Sequence, residues 1–244
     1  MSRFFVQASA IQDSMVSISG TDAFHIARAL RMTVGEKITV CDMQGNEYTC
    51  ALVKIRDDVV YARILAVSRN DTELCCRVRL YQSLAKGEKM DYIVQKAVEL
   101  GVDTIVPVLS ARCVMRLREE QAAQKCVRWQ RIADSAAKQS GRGTLVQVLP
   151  LIPLQQALQE STQSCKRTLF CYEGDGTTSL KTLLQDGVPE SVGLFVGPEG
   201  GYDFAEVAAA QAVGASLAGL GKRILRCETA SGFVLSCLIY QSEL

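Results

Sequence analysis

The sequence is poor in several features, and each shortage excludes a class of site or protein. Its 244 residues contain one histidine, His25, and no Cys-x-x-Cys pair among ten cysteines. Zinc sites normally draw on clustered cysteine and histidine, so we expect no metal site. No apolar run approaches the ~20 residues that span a bilayer, and the residues after Met1 lack the long apolar core of a signal peptide. We therefore expect no membrane segment and a cytoplasmic location.

What is present is typical of a globular protein with a large core. Hydrophobic residues make up 48% and charged residues 22% of the chain, close to globular averages. The length allows one large domain or two modest ones. Most cysteines lie in apolar runs such as 74–76 and 170–172, which favours small buried hydrophobic residues over a disulfide framework.

The net charge of +1 hides an uneven distribution. Residues 76–142 carry 13 lysines and arginines against 7 acidic residues, whereas residues 143–244 carry 6 against 10. A basic middle third would concentrate a polyanion such as RNA. The other interpretation is a solvated helix surface, and charge alone does not decide between the two.

The first seventy residues are rich in short β-branched runs separated by turn residues. The predicted strands are 15–18, 37–41, 47–54 and 59–66. A helix is predicted from 22 to about 32, with Thr21 or Asp22 as its N-cap. Strands at this spacing suggest a small barrel, and the polar stretch 68–72 is interpreted as a linker.

From Leu74 onward strands alternate with helices, which predicts a parallel sheet covered on both faces. The predicted strands are 74–84, 104–109, 145–149, 168–172, 192–196 and 215–220, and the predicted helices are 88–100, 119–139, 154–159, 180–185, 204–213 and 228–240. Ligands bind beyond the carboxyl ends of such strands. That rule selects the loops 172–176, 197–201 and 220–226.

Two of these loops have a composition suited to a ligand. The loop 197–201, Gly-Pro-Glu-Gly-Gly, precedes a helix that Asp203 caps, and its glycines let the backbone approach a ligand closely. It matches neither the P-loop nor the G-x-G-x-x-G pattern. The segment 220–230 combines an apolar wall with cations, namely Leu220, Ile224 and Leu225 with Lys222, Arg223 and Arg226. For each loop the alternative is an ordinary surface connection.

Five motifs follow one another in order along nearly the whole chain. They are Arg-Phe-Phe-Val at 3–6, His-Ile-Ala-Arg-Ala-Leu-Arg at 25–31, Gln-Lys-Ala-Val-Glu-Leu-Gly-Val at 95–102, the helix motif within 128–142, and the two loops 197–201 and 220–230 together. These motifs resemble the RsmE family of SPOUT-superfamily methyltransferases. The departures are small: Lys222 stands where the family commonly has proline, and Cys227 where it commonly has threonine.

The resemblance implies a fold and an activity that composition and spacing do not. The fold is α/β, with an RNA-binding PUA-like β-barrel over residues 1–72. Residues 73–244 form a SPOUT domain with a C-terminal trefoil knot, the cofactor site and the dimer interface. The activity is transfer of a methyl group from S-adenosylmethionine to N3 of a uridine in small-subunit (16S) ribosomal RNA. The implied partners are the small ribosomal subunit and a second copy of the chain.

The same resemblance assigns site residues on the three loops. The adenosine is expected in the apolar slot, and the glycines are expected beside the ribose and the methionine portion. The expected cofactor-binding residues are Tyr172, Glu173, Val196, Gly197, Pro198, Gly200, Gly201, Leu220, Gly221, Ile224, Leu225 and Thr229.

The reaction needs a group that holds the acceptor base and a route for its proton. Arg226 or Arg142 is expected to stabilise the charge that develops at the base carbonyls. No histidine lies in this half of the chain, which excludes a histidine–carboxylate base. Glu199 and Glu228 are the candidate bases, and for Arg226 a structural ion pair is the other interpretation.

Basic residues form a candidate RNA surface. On the predicted helix 119–139, cations recur at steps of three and four opposite a small apolar stripe. The expected RNA contacts are Arg3, His25, Arg28, Arg31, Lys96, Arg128, Arg131 and Lys138. For His25 a structural role is the other interpretation, and for Trp129 core burial is favoured over base stacking.

Two other functions stay open at this point. A dimeric RNA-binding protein without activity would tolerate bulky residues in the loop 197–201, which keeps its three glycines. A SPOUT enzyme could also act on another target such as a transfer-RNA ribose. The N-terminal motif and Gln-Ser-Gly-Arg at 139–142 favour the ribosomal target.

Overall fold

The computed structural model describes residues 1–243. Internal contacts divide the chain into two compact units. The N-terminal unit comprises residues 1–73 and 137–145, and the C-terminal unit comprises residues 74–136 and the chain from Val146 onward. The division is therefore not a single cut near residue 72, because the end of a long helix and the turn after it belong to the N-terminal unit.

The N-terminal unit is built on one six-stranded sheet. Its strands are β1 (Arg3–Phe5), β2 (Ile11–Gln12), β3 (Met15–Ser19), β4 (Lys37–Cys41), β5 (Asn46–Ile55) and β6 (Val59–Arg69). They are ordered β1-β4-β5-β6-β3-β2, and β1 pairs with β4 in parallel while the other neighbours are antiparallel. All four predicted strands are present. The register of β5 against β6 shifts twice, and such irregularities bend a strand pair.

The helix of this unit begins and ends earlier than predicted. Gly20–Phe24 is α-helical (α1), and His25–Ala29 continues as one turn of π-helix. Gly20 adopts a φ of +67°, which lets the chain turn directly after β3. The cap position is therefore Ser19 rather than Thr21 or Asp22, and Arg31, at a φ of +51°, lies beyond the helix end.

The stretch 68–72 was expected to be a linker, and the structure corrects this. Ser68 and Arg69 belong to β6. The side-chain amide of Asn70 donates to Glu47 Oε2 at 3.1 Å and to the Gly141 carbonyl at 3.3 Å. These partners are remote in sequence, so local composition could not reveal that the segment is held.

The C-terminal unit is built on a parallel sheet of eight strands. The strands are β7 (Arg77–Ser83), β8 (Thr104–Leu109), β9 (Gln147–Val148), β10 (Ile152–Pro153), β11 (Arg167–Cys171), β12 (Thr178–Ser179), β13 (Ser191–Val196) and β14 (Ser216–Gly219). Their order is β10-β8-β7-β13-β11-β14-β12, with β9 beside β8. Every pairing is parallel, which confirms the predicted sheet.

The predicted helices of this unit are all present with shifted ends. They are α2 (Lys89–Glu99), α3 (Glu119–Ser140), α4 (Leu154–Ser164), α5 (Leu180–Leu183), α6 (Phe204–Ala212) and α7 (Cys227–Glu243). Asp203 caps α6 in a reciprocal capping box with Glu206, as predicted. Trp129 is buried in α3 and its Nε1 donates to Asp91 at 3.1 Å, which confirms core burial. None of the helices over the described residues combines the length and apolar character of a bilayer span.

The central strands of this sheet set the position of the three candidate loops. β13, β11 and β14 are neighbours and run in the same direction. Their carboxyl ends therefore lie at one edge of the sheet. β11 leads into residues 172–177, β13 into 197–203 and β14 into 220–226.

Candidate functional site

The three loops at this edge enclose a cavity of about 150 Å³. Ten of the twelve predicted cofactor-binding residues line it: Tyr172, Glu173, Val196, Gly197, Pro198, Gly201, Leu220, Gly221, Ile224 and Leu225. Eight further residues complete the lining: Cys171, Thr177, Tyr202, Gly219, Lys222, Arg223, Cys227 and Ala230. The edge of the sheet thus brings together segments that range from Cys171 to Ala230 in the sequence.

Glycines shape the wall of this cavity where a side chain would intrude. A Cβ on Gly197 would lie 3.2 Å from Tyr202 Cε2, and a Cβ on Gly219 would lie 2.8 Å from Thr177 Oγ1. Gly201 has a φ of +65°, a conformation that other residues adopt only with strain. The loops therefore pack on each other more closely than substituted residues would allow.

A buried aromatic side chain directly follows the glycine loop, as we call residues 197–201. Tyr202 is 2% exposed and its ring lies 4.1 Å from that of Phe170, centroid to centroid. Its hydroxyl accepts a hydrogen bond of 3.4 Å from Ser83 Oγ. Burial raises the pKa of Tyr202 well above its ordinary value, so the phenol is neutral and acts as packing rather than as a base.

A second cavity of about 350 Å³ adjoins the first. The two share a wall of six residues, namely Glu173, Pro198, Gly201, Ile224, Leu225 and Cys227. Lys89, Glu199 and Arg226 line only the second. A slot lined by both apolar and polar residues and a charged compartment therefore share one wall.

Lys89 is the central cation of the charged compartment, and it was not predicted from the sequence as a site residue. Its Nζ lies 2.8 Å from Glu199 Oε1 and 3.9 Å from Glu228 Oε2. Glu199 Oε1 also accepts from the backbone amide of Lys86 at 3.0 Å. Burial alone would raise the pKa of Glu199, but the bonds from Lys89 and Lys86 outweigh it and lower that pKa. Glu199 is therefore an ionised, weakly basic carboxylate.

Arg226 is exposed at the mouth of the charged compartment. Its carbonyl accepts from the amides of Thr229 and Ala230 at 2.9 and 2.8 Å, which fixes its backbone at the start of α7. Within residues 1–243 its guanidinium forms no ion pair. No carboxylate lies within 4.0 Å of this guanidinium over the described residues, although its charge contributes to lowering the pKa of Glu228.

Three predicted residues do not line either cavity. Gly200 faces Arg112, whose Nη1 donates to the Gly200 carbonyl at 2.9 Å, and Thr229 lines a separate depression beside Lys96. Arg142 is 4% exposed in the N-terminal unit and bonds through its guanidinium to Glu73. This corrects the expectation that Arg142 meets the acceptor base, because Arg142 is buried and its charge is paired with the half-buried carboxylate of Glu73.

Most of the predicted RNA contacts are ion-paired. Arg3 pairs with Glu47, Arg28 with Asp57, Lys96 with Glu99, Arg128 with Asp91, and Lys138 with Asp22. Arg31, Arg131 and His25 are exposed. Arg128 keeps 60% of its side chain exposed despite its pair, so neutralisation by a neighbour does not remove it from the surface.

A third, larger cavity of about 830 Å³ lies along α5 and α7. Its lining is largely apolar and includes Leu180, Leu184, Phe233, Ile239 and Tyr240. Phe233 and Tyr240 are 41% and 70% exposed, which is unusual for aromatic side chains in a folded monomer.

Two domain families match this chain. The RNA methyltransferase domain matches residues 72–239, and the RNA methyltransferase PUA domain matches residues 18–65. The first covers well over half of the chain, including all three loops of the site.

Individual relatives align along nearly the full length. A ribosomal RNA small subunit methyltransferase E of Bacillus subtilis (strain 168) is 34% identical over 252 aligned residues, covering 100% of this chain and 98% of the relative. The protein of the same name from Synechocystis sp. is 29% identical and covers 96% and 76%. The crystal structure of a ribosomal RNA small subunit methyltransferase E from Neisseria gonorrhoeae bound to S-adenosyl methionine superposes with a TM-score of 0.84 at 32% identity, covering 98% and 97%.

Proposed function

The chain belongs to the RNA methyltransferase family, and from that premise we propose that it methylates small-subunit ribosomal RNA with S-adenosylmethionine as donor. The finer proposal is transfer to N3 of a uridine in 16S RNA. The observation that carries it is the cavity of three loops, a slot with both apolar and polar lining residues that shares a wall with a charged compartment. A ribosomal substrate implies that the protein acts in the cytoplasm.

The slot between the three loops suits the donor. Leu220, Ile224 and Leu225 provide surface for an uncharged adenine, while the glycine loop leaves room for the ribose and the methionine chain. When bound, this donor supplies a methyl group on a positively charged sulfur.

The charged compartment suits the acceptor. Uridine N3 must lose a proton before or during transfer, and negative charge then spreads to the two base carbonyls. Arg226 has an unpaired guanidinium at this compartment, and a donor aimed at developing charge lowers the barrier most. The protein's remaining contribution is to align the base with the methyl group.

Two features support the finer fold proposals, a barrel and a knot. The bends between β5 and β6 favour curling of the N-terminal sheet into a PUA-like barrel. In the C-terminal unit, β14 lies toward the β12 end of the sheet, yet α7, which follows it, packs on α2 and β13. This return of the chain from the β12 end of the sheet to α2 and β13 supports the proposal of a trefoil knot.

The last part of the proposal is that the protein forms a homodimer. The apolar groove along α5 and α7 shares Gly219, Leu220 and Gly221 with the slot proposed for the donor. A second copy covering that groove would bury Phe233 and Tyr240 and support one wall of the slot.

The test is the chemistry of the RNA itself. Ribosomal RNA from a strain that lacks this protein should be digested to nucleosides and compared by mass spectrometry with RNA from the parent strain. We expect loss of one 3-methyluridine in small-subunit RNA and its return when purified protein and S-adenosylmethionine are added. An unchanged set of modified nucleosides would contradict the proposal.

A further inference from the structure

Residues 111–118, which we call the basic segment, connect β8 to α3 and contain three arginines outside the site described above. Exposure alternates along it: Arg112, Val114, Arg116 and Arg118 are exposed, whereas Cys113, Met115 and Leu117 are buried or half-buried. The alternation leaves the three arginines on the exposed side of the segment and packs Cys113, Met115 and Leu117 on the other.

The basic segment is fixed directly to the glycine loop. Arg112 Nη1 donates to the Gly200 carbonyl at 2.9 Å, and the amide of Ala111 donates to Glu206 Oε1 at 2.7 Å. Glu206 also completes the capping box with Asp203 at the end of that loop. A ligand bound along the segment therefore lies next to the loop 197–201, whose residues Pro198 and Gly201 line both cavities.

The charges of this segment differ from those of the other basic residues. Arg3, Arg28, Lys96, Arg128 and Lys138 are each paired with a carboxylate. Over residues 1–243 no carboxylate pairs with the arginines of the basic segment. The guanidiniums of Arg112 and Arg116 instead donate to carbonyl oxygens, so their charge remains unneutralised.

Nearby groups extend this surface along α3. Glu119 and Glu120 follow at the first turn of α3, where the helix amides already balance part of their charge. Beyond them, Gln124, Lys125 and Arg128 line a depression of about 360 Å³ with Leu117. The surface that continues from the glycine loop is thus predominantly positive and offers planar guanidiniums, which suit phosphate oxygens.

We propose that the basic segment is the phosphate-binding track for the RNA strand next to the methylated nucleotide, with Arg116 and Arg118 contacting successive phosphates. The proposal rests on the proposed function, since an RNA substrate must run past the donor. Phosphate contacts of this kind set position rather than sequence preference. Arg112 has the different role of holding the glycine loop at Gly200.

The experiment measures binding of unmodified 16S RNA, transcribed in vitro, across a range of salt concentrations. Arg116→Gln with Arg118→Gln should reduce the log–log salt slope by about 1.4–1.8, the value for two lost phosphate contacts, and weaken binding at about 0.1 M salt by a factor on the order of 30–60. Affinity for S-adenosylmethionine should stay unchanged, because neither residue lines the donor slot.

Two further double variants test whether RNA binding depends on the charges of the basic segment in particular or only on the number of cations in the protein. Arg77→Gln with Lys166→Gln also removes two exposed cations from the same unit, but at the amino ends of β7 and β11, the opposite edge of the sheet. That pair should leave the slope near wild type. Arg116→Lys with Arg118→Lys keeps the charges and should restore most of the slope even if the segment loses its hydrogen bond to the Ala111 carbonyl.

The outcomes distinguish the two proposals. A wild-type protein that neither binds nor methylates the RNA would contradict the proposed function. Normal wild-type activity together with an Arg116→Gln, Arg118→Gln variant that matches the control pair would overturn the proposal for the basic segment alone. A loss confined to assembled subunits, with normal binding of free RNA, would indicate a ribosomal protein contact and also overturn it.

Discussion

Arg226 combines a fixed backbone with an unpaired guanidinium, and this makes it the residue on which the rate should depend most. Arg226→Ala should lower the single-turnover rate by about 10²–10³, the effect of losing one donor to developing charge. Affinity for S-adenosylmethionine, measured by calorimetry, should change little, because the Ile224–Leu225 wall remains. Arg226→Lys should recover only part of the rate, since an ammonium cannot make a two-pronged contact. Loss of cofactor binding in Arg226→Ala would show a structural role instead.

The proton of the acceptor provides a second residue-level prediction. The only histidine is His25, in the N-terminal unit. Burial would raise the pKa values of Glu199 and Glu228, but hydrogen bonds and the charge of Lys89 outweigh it and lower both, so both are ionised throughout the neutral range. The single-turnover rate should therefore rise with pH from neutral to alkaline, following ionisation of uridine N3. A bell-shaped profile with an acidic limb near pH 6 would reveal a protein base.

Close packing of two loops gives a third prediction, at Gly219. A Cβ there would lie 2.8 Å from Oγ1 and 3.2 Å from Cβ of Thr177, and a β-branched side chain has little freedom to move away. Gly219→Ala should weaken cofactor binding by at least tenfold, about 1.4 kcal/mol. Thr177→Ala in the same protein should restore part of the affinity, giving a non-additive double-mutant cycle. Gly232→Ala is the control, because its nearest neighbour is 3.8 Å away; additive effects would exclude a clash.

At the residue scale, the sequence predicted which residues on the three loops line the site. It did not predict the residues that hold those loops in place. Motifs on 197–201 and 220–226 follow strands directly, so the rule for parallel sheets brings them together. Lys89, Tyr202 and Arg112 were missed as site residues because each reaches the loops through tertiary packing or a single hydrogen bond. Arg142 was misassigned, since its charge is held by Glu73 and the motif gives no sign of that partner.

Among the structural elements, the turn after α3 contains an ion pair that should contribute to the stability of the fold. Arg142 is 4% exposed and its guanidinium bonds to Glu73, which also accepts from the amides of Gly143 and Thr144 at 2.9 and 3.2 Å. Burial alone would raise the pKa of Glu73, but these bonds outweigh it and hold the pKa below its ordinary value of 4.5. The carboxylate thereby ties residues 137–145 into the N-terminal unit.

This tie should make stability depend on pH. Because the pKa of Glu73 is lower in the folded state, its contribution is present above pH 4.5 and is lost as pH falls through the folded pKa. Glu73→Gln should lower the free energy of unfolding at pH 7 by about 1.5–3 kcal/mol, the range for hydrogen bonds to a charged group, since Glu73 keeps 30% of its side chain exposed. In urea titrations the gap to wild type should shrink toward pH 3. A gap that is constant with pH would disprove the charge interaction.

Element types were predicted more accurately than element ends. Strands such as β4 and β8 were placed to the residue because β-branched runs are bounded by turn residues on both sides. The helix after β3 was misplaced because a glycine at positive φ, rather than a capping side chain, starts it. The fold of each unit could therefore be predicted, but the membership of 137–145 in the N-terminal unit depends on the Glu73 contact.

The whole molecule presents an apolar groove that its own chain leaves open. Over the described residues, α7 buries Val234, Leu235 and Leu238 on one side and exposes Phe233 and Tyr240 on the other. A helix that is apolar all round is normally buried on more than one side. We therefore expect a dimer by light scattering at micromolar concentration, built on this groove. Phe233→Glu with Tyr240→Glu should produce a monomer, while Phe24→Glu, an exposed aromatic of the N-terminal unit, should not.

The groove and the donor slot share Gly219, Leu220 and Gly221, so association and cofactor binding should be coupled. A partner that orders this shared wall reduces the cost of ordering it on binding the cofactor, and the coupling must be reciprocal. The monomeric Phe233→Glu, Tyr240→Glu variant should therefore bind S-adenosylmethionine about 5–150-fold more weakly, and saturating cofactor should shift the wild-type equilibrium toward dimer on dilution. Equal cofactor affinity in monomer and dimer would mean that each slot is complete within one chain and that the groove serves only assembly.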